Sequence, residues 1–375
     1  MNNIDIKNID MNGIEFIEDK DYFIIKRYGK YFRLGVQEAN MLRELTAHRD
    51  VQTVLSKYEI SEEDFSKFIH SLEECGVVGD VKKERKNILF YRFKLINPDT
   101  YLHLLVNKFL SNKTVNRLLL IFSALIIMTG SIIFLKNISQ LTDGFFKDFI
   151  SFDFITFYIV TILVIFLHEL GHGIACKYFG GKVEEIGFLL IFFSPALYCD
   201  VSGIWSFKDK KKKIITLIAG VYVQLIIFSL CSIAYDLYFG HSTWLATFIL
   251  WNVLMIFSNI LPFIKLDGYW ILSNIVEIPN LYEKSLKLAL GRGEEVLFDD
   301  REILKKKFIK FFGILNILFV LMSIVVGFIG IYYVFINIEG YFKYVILFFE
   351  GITYFLVLIF FGLFLYKLSK KKSLS

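Results

Sequence analysis

Six stretches of the chain stay apolar over about the ~20 residues that a helix needs to cross a hydrocarbon layer. They are residues 118–135, 153–173, 214–235, 244–264, 309–336 and 344–366. A further apolar stretch, VEEIGFLLIFFSPALY at 183–198, has a core too short to span as a helix. Gly180 and Gly181 open it and Pro195 interrupts it, which predicts a strand or re-entrant hairpin. Its edge, around Phe188 and Leu190, is expected to take an extended peptide by strand addition; the plainer reading is a loop packed in the core.

Ahead of the spans the pattern changes. YFIIKRYGKYFRL alternates about a turn at Gly29 and reads as a β-hairpin, whereas VQEANMLREL, DVQTVLSKY and SEEDFSKFIHSLEECGVV repeat with helical period. Ser61 and Asp64 stand as in a capping box, and Gly76 is placed to end the last helix. Residues 1–80 are therefore expected to form a small α+β, winged-helix-like domain. Residues 81–115 read as a basic linker and an amphipathic helix on the membrane surface. The expected fold is mainly α: a polytopic bundle over residues 116–375, with its core at 150–275, behind the small N-terminal domain.

Charge orients the spans. Lys208 and Lys210 to Lys213 precede the third, Lys305, Lys306, Lys307 and Lys310 precede the fifth, and Lys367 with Lys370 to Lys372 follow the sixth. All three clusters fall on one side of a six-span topology, so both termini are expected in the cytoplasm of a multi-pass cell-membrane protein. No basic-then-apolar signal pattern opens the chain. Composition agrees with lipid as a partner: 55% of residues are hydrophobic, 41 are Phe, and mean hydropathy is +0.54. The net charge of +5 hides an acidic head, with 16 acidic against 10 basic side chains up to residue 80. Its basic residues flank apolar spans, which excludes nucleic acid as the natural partner. The four cysteines form no C-x-x-C pair, so neither a disulfide framework nor a structural zinc knot is expected.

The second span ends in HELGH. His168 and His172 stand four apart, on one helix face, and can bind one tetrahedral ion, with Glu169 alongside to move protons. A charged side chain near the bilayer centre costs ~2.5–3.5 kcal/mol on insertion scales, so such a cluster should bind or pair. Catalytic zinc takes three protein ligands and leaves a place for water. Two aspartates compete for the third. Asp267 lies in NILPFIKLDGYW at the same end of the fourth span, where Pro262 breaks the helix; Asp200 lies in the turn-rich SPALYCDVSGIW and has a simple role as a turn cap.

HELGH together with NILP (Asn259 to Pro262) and LDG (Leu266 to Gly268) resembles the intramembrane zinc metalloproteases of the site-2 protease class over residues 115–275. SPALYCDVSGIW and the small N-terminal domain look like the bacterial peptide zinc metalloprotease branch. The resemblance implies Zn2+ held by His168, His172 and Asp267, Glu169 as general base, and Asn259 as a polar contact near the site. Its plainer role is a bond to neighbouring backbone. Many relatives carry asparagine four residues after the glycine that corresponds to Gly220; here Gln224 offers the same amide groups to substrate from a longer stem, and Gly220 also reads as a packing notch.

Two functions follow. The first is a zinc endopeptidase that cleaves a peptide or membrane-anchored precursor, such as a ribosomally made modified peptide or bacteriocin, whose leader the N-terminal domain holds. The second is a non-proteolytic partner that binds peptide for export or immunity, with a transporter as its companion and the metal kept for structure. No P-loop, dinucleotide fingerprint, Ser-His-Asp order or PDZ-sized insertion accompanies these motifs.

Overall fold

The computed structural model describes residues 9–18, 22–28, 30–79, 90–147, 154–191, 194–239, 242–278, 280–291 and 303–337, with isolated positions beyond. Its packing divides the chain into two compact units, Met1–Ile260 and Leu261–Ser375. Most described residues are helical.

The first unit begins with an antiparallel sheet of three strands in sequence order, β1 (Glu15–Glu18), β2 (Tyr22–Arg27) and β3 (Lys30–Gly35). Three helices follow: α1 (Val36–His48), α2 (Val51–Tyr58) and α3 (Glu62–Cys75). The hairpin expected from alternation is β2–β3, in register from Tyr22↔Gly35 to Arg27↔Lys30; the turn residue Gly29 lies outside the described residues. Apolar positions of helical period meet the sheet, and Ile25, Leu42 and Leu45 are fully buried. Each such side chain stabilises by roughly 1.5–3 kcal/mol. Ser61 Oγ accepts from the Asp64 N–H at 3.1 Å and donates to its carboxylate at 2.7 Å, as the capping signal predicts. Gly76 closes α3 at φ +81°, a conformation that a Cβ would strain.

Arg27 is the domain's one buried cation among the described residues, 2% exposed. Its guanidinium donates to the Asp10 carboxylate and carbonyl, each at 3.0 Å, and to the carbonyls of Asn12 (3.2 Å), Gly76 (3.4 Å) and Gly79 (2.9 Å). The charge thus ties the start of the chain to the end of α3.

The linker holds a strand that the helical reading of 81–115 lacks. β4 (Phe90–Ile96) precedes α4 (Asp99–Leu105) and a π-helical turn, Val106–Leu110. Then come α5 (Lys113–Lys136), α6 (Ile138–Lys147) and α7 (Phe154–Tyr178), followed by β5 (Ile186–Ile191) and β6 (Ser194–Cys199). The unit closes with α8 (Lys210–Tyr238) and α9 (Thr243–Ile260). The short apolar stretch is indeed a hairpin, β5–β6, and β4 completes an antiparallel sheet of order β4-β5-β6.

α8 is the helix against which α5, α7 and α9 pack. Gly171 permits the α7–α8 approach: a Cβ there would lie 2.8 Å from the Ala219 carbonyl oxygen. Small residues at such contacts let backbones approach where no hydrophobic drive separates helix from lipid.

In the second unit the chain runs irregularly to α10 (Asp267–Val276), as Pro262 demands, then α11 (Leu281–Ala289) and α12 (Ile303–Asn337). Tyr269, Leu281, Ile309 and Phe312 form its core. Five helices, α5, α7, α8, α9 and α12, are long and apolar enough to cross a membrane, and the chain is a multi-pass membrane protein on that ground. The sixth expected span, 344–366, lies almost wholly outside the described residues.

Candidate metal centre

HELGH lies in the C-terminal half of α7, where both histidines face α8. His168 is 5% and His172 4% exposed, and their Nε2 atoms lie 3.0 Å apart. The second nitrogen of each ring is held from α8. His172 Nδ1 lies 2.8 Å from the Thr216 carbonyl oxygen, which can only accept, so a proton sits on Nδ1 and Nε2 is the nitrogen turned towards His168. His168 Nδ1 lies 2.9 Å from Gln224 Oε1, which fixes the same tautomer. Gln224 Oε1 also accepts from Asn259 Nδ2 at 3.2 Å. A row from α9 through α8 thus sets the ring on α7.

Two Nε2 atoms 3.0 Å apart must share something positive between them, a proton or a metal cation. The backbone leaves room for one. A Cβ on Gly220 would come within 2.4 Å of His172 Nε2 and 2.5 Å of His168 Nε2, so only glycine keeps that side open. Borderline-soft nitrogen donors in a closed apolar setting, each with its other ring N–H hydrogen-bonded, fit zinc.

Glu169, half-buried beside the pair, accepts the Cys199 N–H at 2.9 Å through Oε2. This bond joins the HELGH helix to the end of β6. Asp200 uses Oδ2 on Arg92 (3.1 Å) and Oδ1 on the Ser202 N–H (3.0 Å). Arg92, from β4, also pairs with Glu185 at 3.2 Å and lies 4.2 Å from the centre of the Tyr198 ring. Asp200 therefore closes a turn and an ion pair on the sheet, the simpler of its two expected roles. In the second unit, Asp267 is half-buried and is the first residue of α10.

Gln224 and Asn259, expected at the substrate, are hydrogen-bonded towards His168, and Gln224 is 1% exposed. The edge expected at Phe188 and Leu190 is corrected by the sheet. Phe188 pairs with Phe93 on one side and Leu197 on the other, and Leu190 with Tyr91 and Pro195. β5 is a central strand because β4 supplies its second neighbour. β6 is the edge next to Glu169, and Pro195 is at home there. The contribution of Thr216 is a backbone carbonyl, which carries no sequence signal. The Cys199 amide is equally silent.

The N-terminal domain meets this region through β3. Burial, with the Glu184 and Asp200 carboxylates nearby, pushes the Tyr31 phenol up to about 12.

No family model matches the chain, and no solved structure matches it. Over 156 residues it is 26% identical to the "Putative peptide zinc metalloprotease protein YydH" of Bacillus subtilis (strain 168). The match covers 41% of this chain and 60% of that relative. By this distant likeness, and by its buried histidine pair, the chain is similar to a zinc metalloprotease.

Proposed function

We propose that the chain is an intramembrane zinc endopeptidase of the site-2 protease type, acting on a peptide or membrane-anchored precursor. The observation that carries the reading is the histidine pair: two buried Nε2 atoms 3.0 Å apart, their tautomers set by Thr216 and Gln224, at a glycine-made opening inside an apolar helix. The donor set of this reading is the one that the sequence resemblance implies, His168, His172 and Asp267, since Asp200 is otherwise engaged. Zinc, when bound, polarises a peptide carbonyl and lowers the pKa of water to about 7.

The chain's own residues do the rest. Glu169 takes the proton of the attacking water and delivers it to the leaving amine. Gln224 and Asn259 keep the His168 ring from turning. A helical substrate hides its carbonyls in its own hydrogen bonds and must be drawn out before attack. β6 offers the means. Asp200 N–H bonds back to the Glu185 carbonyl at 2.8 Å, so along β6 the even-numbered residues face β5 and the odd-numbered ones face outward. Pro195 lacks an N–H and Cys199 gives its own to Glu169, which leaves Leu197 to pair an extended segment, two residues before the strand position that bonds the general base. The N-terminal domain, next to this sheet, presents the precursor's leader. A bacteriocin-like or other ribosomally made peptide suits that arrangement, with a transporter taking the product.

Zinc content and cleavage of a precursor, measured on purified protein in nanodiscs, test the assignment. Glu169→Gln is expected to keep zinc and lose on the order of 10³-fold in rate. Asp267→Ala is expected to lose zinc while Asp200→Ala keeps it. Full cleavage by Glu169→Gln overturns the enzyme reading, and zinc loss only in Asp200→Ala overturns the ligand set. The edge has its own test. Leu197→Pro removes one outward N–H and no bond to β5, so it should abolish cleavage with zinc retained; unchanged cleavage discards strand addition.

A further inference from the structure

Within an apolar layer every polar group needs an internal partner, because lipid offers none. Among the described residues of the first unit, three buried side chains lack one. Thr161 Oγ1 on α7, and both the amide nitrogen and the carbonyl oxygen of Asn252 on α9, are buried and make no hydrogen bond; the indole N–H of Trp244 is the third. Asn252 is fully buried, and Thr161 is 9% exposed.

These groups fall at one level of the bundle. α7 and α8 run antiparallel, since His168 meets Gln224 and His172 meets Thr216, and the short α8–α9 connection turns the chain back again. α7 and α9 therefore run the same way and advance in step. Phe157 packs on Phe248, with ring centroids 6.3 Å apart; one turn on come Thr161 and Asn252; two turns further come His168 and Asn259, linked through Gln224. Trp244 stacks on Phe248 at 5.5 Å, one turn before it on the same face of α9. Above the pair, the rings of Trp244, Phe248 and Trp251 pack around Phe157.

We infer that Thr161 and Asn252 hold one or two water molecules inside the membrane layer, two helical turns from the histidine pair and sealed by that aromatic cluster. A buried water makes two to four hydrogen bonds. The threonine hydroxyl gives or takes a proton, the Asn252 side chain offers both a donor and an acceptor, and the Trp244 indole adds a donor at the upper end. The inference rests on these orphaned groups alone and stands whether or not the metal centre is a peptidase.

Radiolytic hydroxyl labelling of the full chain in nanodiscs tests it, because water activated in place oxidises the side chains that touch it. Phe248 (2% exposed) and Phe228 (5% exposed) are matched buried phenylalanines, and only Phe248 adjoins the site. Phe248 is expected to oxidise several-fold faster than Phe228 in the wild type, and at the Phe228 rate in Thr161→Val/Asn252→Leu. Equal rates in the wild type, as a direct Thr161–Asn252 bond without water would give, overturn the inference. So does fast Phe248 labelling that persists in a double variant with wild-type elution and zinc content. The wild-type comparison decides even if the double variant fails to fold.

Discussion

Two buried basic sites of the first unit handle their protons in opposite ways. Arg27 in the N-terminal domain spreads its donors over one carboxylate oxygen and four carbonyls. Nothing about it points to a further ligand. The histidines of α7 give their Nδ1 protons to neighbours and aim both Nε2 atoms at one point. Saturation marks a structural clamp, and convergence of acceptors marks a seat for a cation. Burial alone separates neither from the other, since all three residues are at most 5% exposed.

The contrast breaks most visibly at the clamp. Arg27→Met should cost about 3 kcal/mol of unfolding free energy in the N-terminal domain, because it leaves carbonyls and the Asp10 carboxylate without their donor. Chemical denaturation measures it, and zinc content should not change. A loss of zinc in that variant would mean that the two regions are coupled. The converse change is Gln224→Leu, which frees the His168 ring and should weaken zinc binding about 10- to 100-fold with the fold intact. Competition with a chelator reads that shift; an unchanged affinity would remove Gln224 from the centre.

Asp99 sets the lower limit of the comparison. Burial alone would raise its carboxyl, but the Lys177 ammonium at 2.7 Å and the Val183 N–H at 2.9 Å outweigh it and hold the group below the ordinary range. A depressed carboxyl stabilises above its unfolded pKa of about 4 and loses that contribution as pH falls through the folded value. Asp99 is partly exposed, so screening reduces the effect to about 0.5–1 kcal/mol. The unfolding midpoint of Asp99→Asn should lie below wild type at pH 7 and converge with it below about pH 4. A constant gap would assign the tie to the neutral hydrogen bond instead.

Much of this was legible in the chain. Length and apolarity mark the spans, and the four-residue spacing in HELGH puts two imidazoles on one face whatever the helix packs against. Pro262 forecasts the break before Asp267, and Ser61 with Gly76 forecasts both ends of α3. The strand β4 was not legible as one. FYRFKLI is short, mixes charges with aromatics, and suits a membrane-surface helix until its partner β5 is known, almost a hundred residues later. That one omission moved the sheet edge from β6 to β5, and with it the docking residues. The hydrogen bonds of Gln224 and Asn259 were not legible for another reason: an amide can turn to many partners, and only packing brings it to an imidazole.

Gly220 carries a consequence of its own. A single hydrogen there stands where any other amino acid would put carbon against both imidazoles, so every exchange would crowd the two Nε2 atoms. Alanine, the mildest replacement in most helices and a better helix former, would act here as a plug.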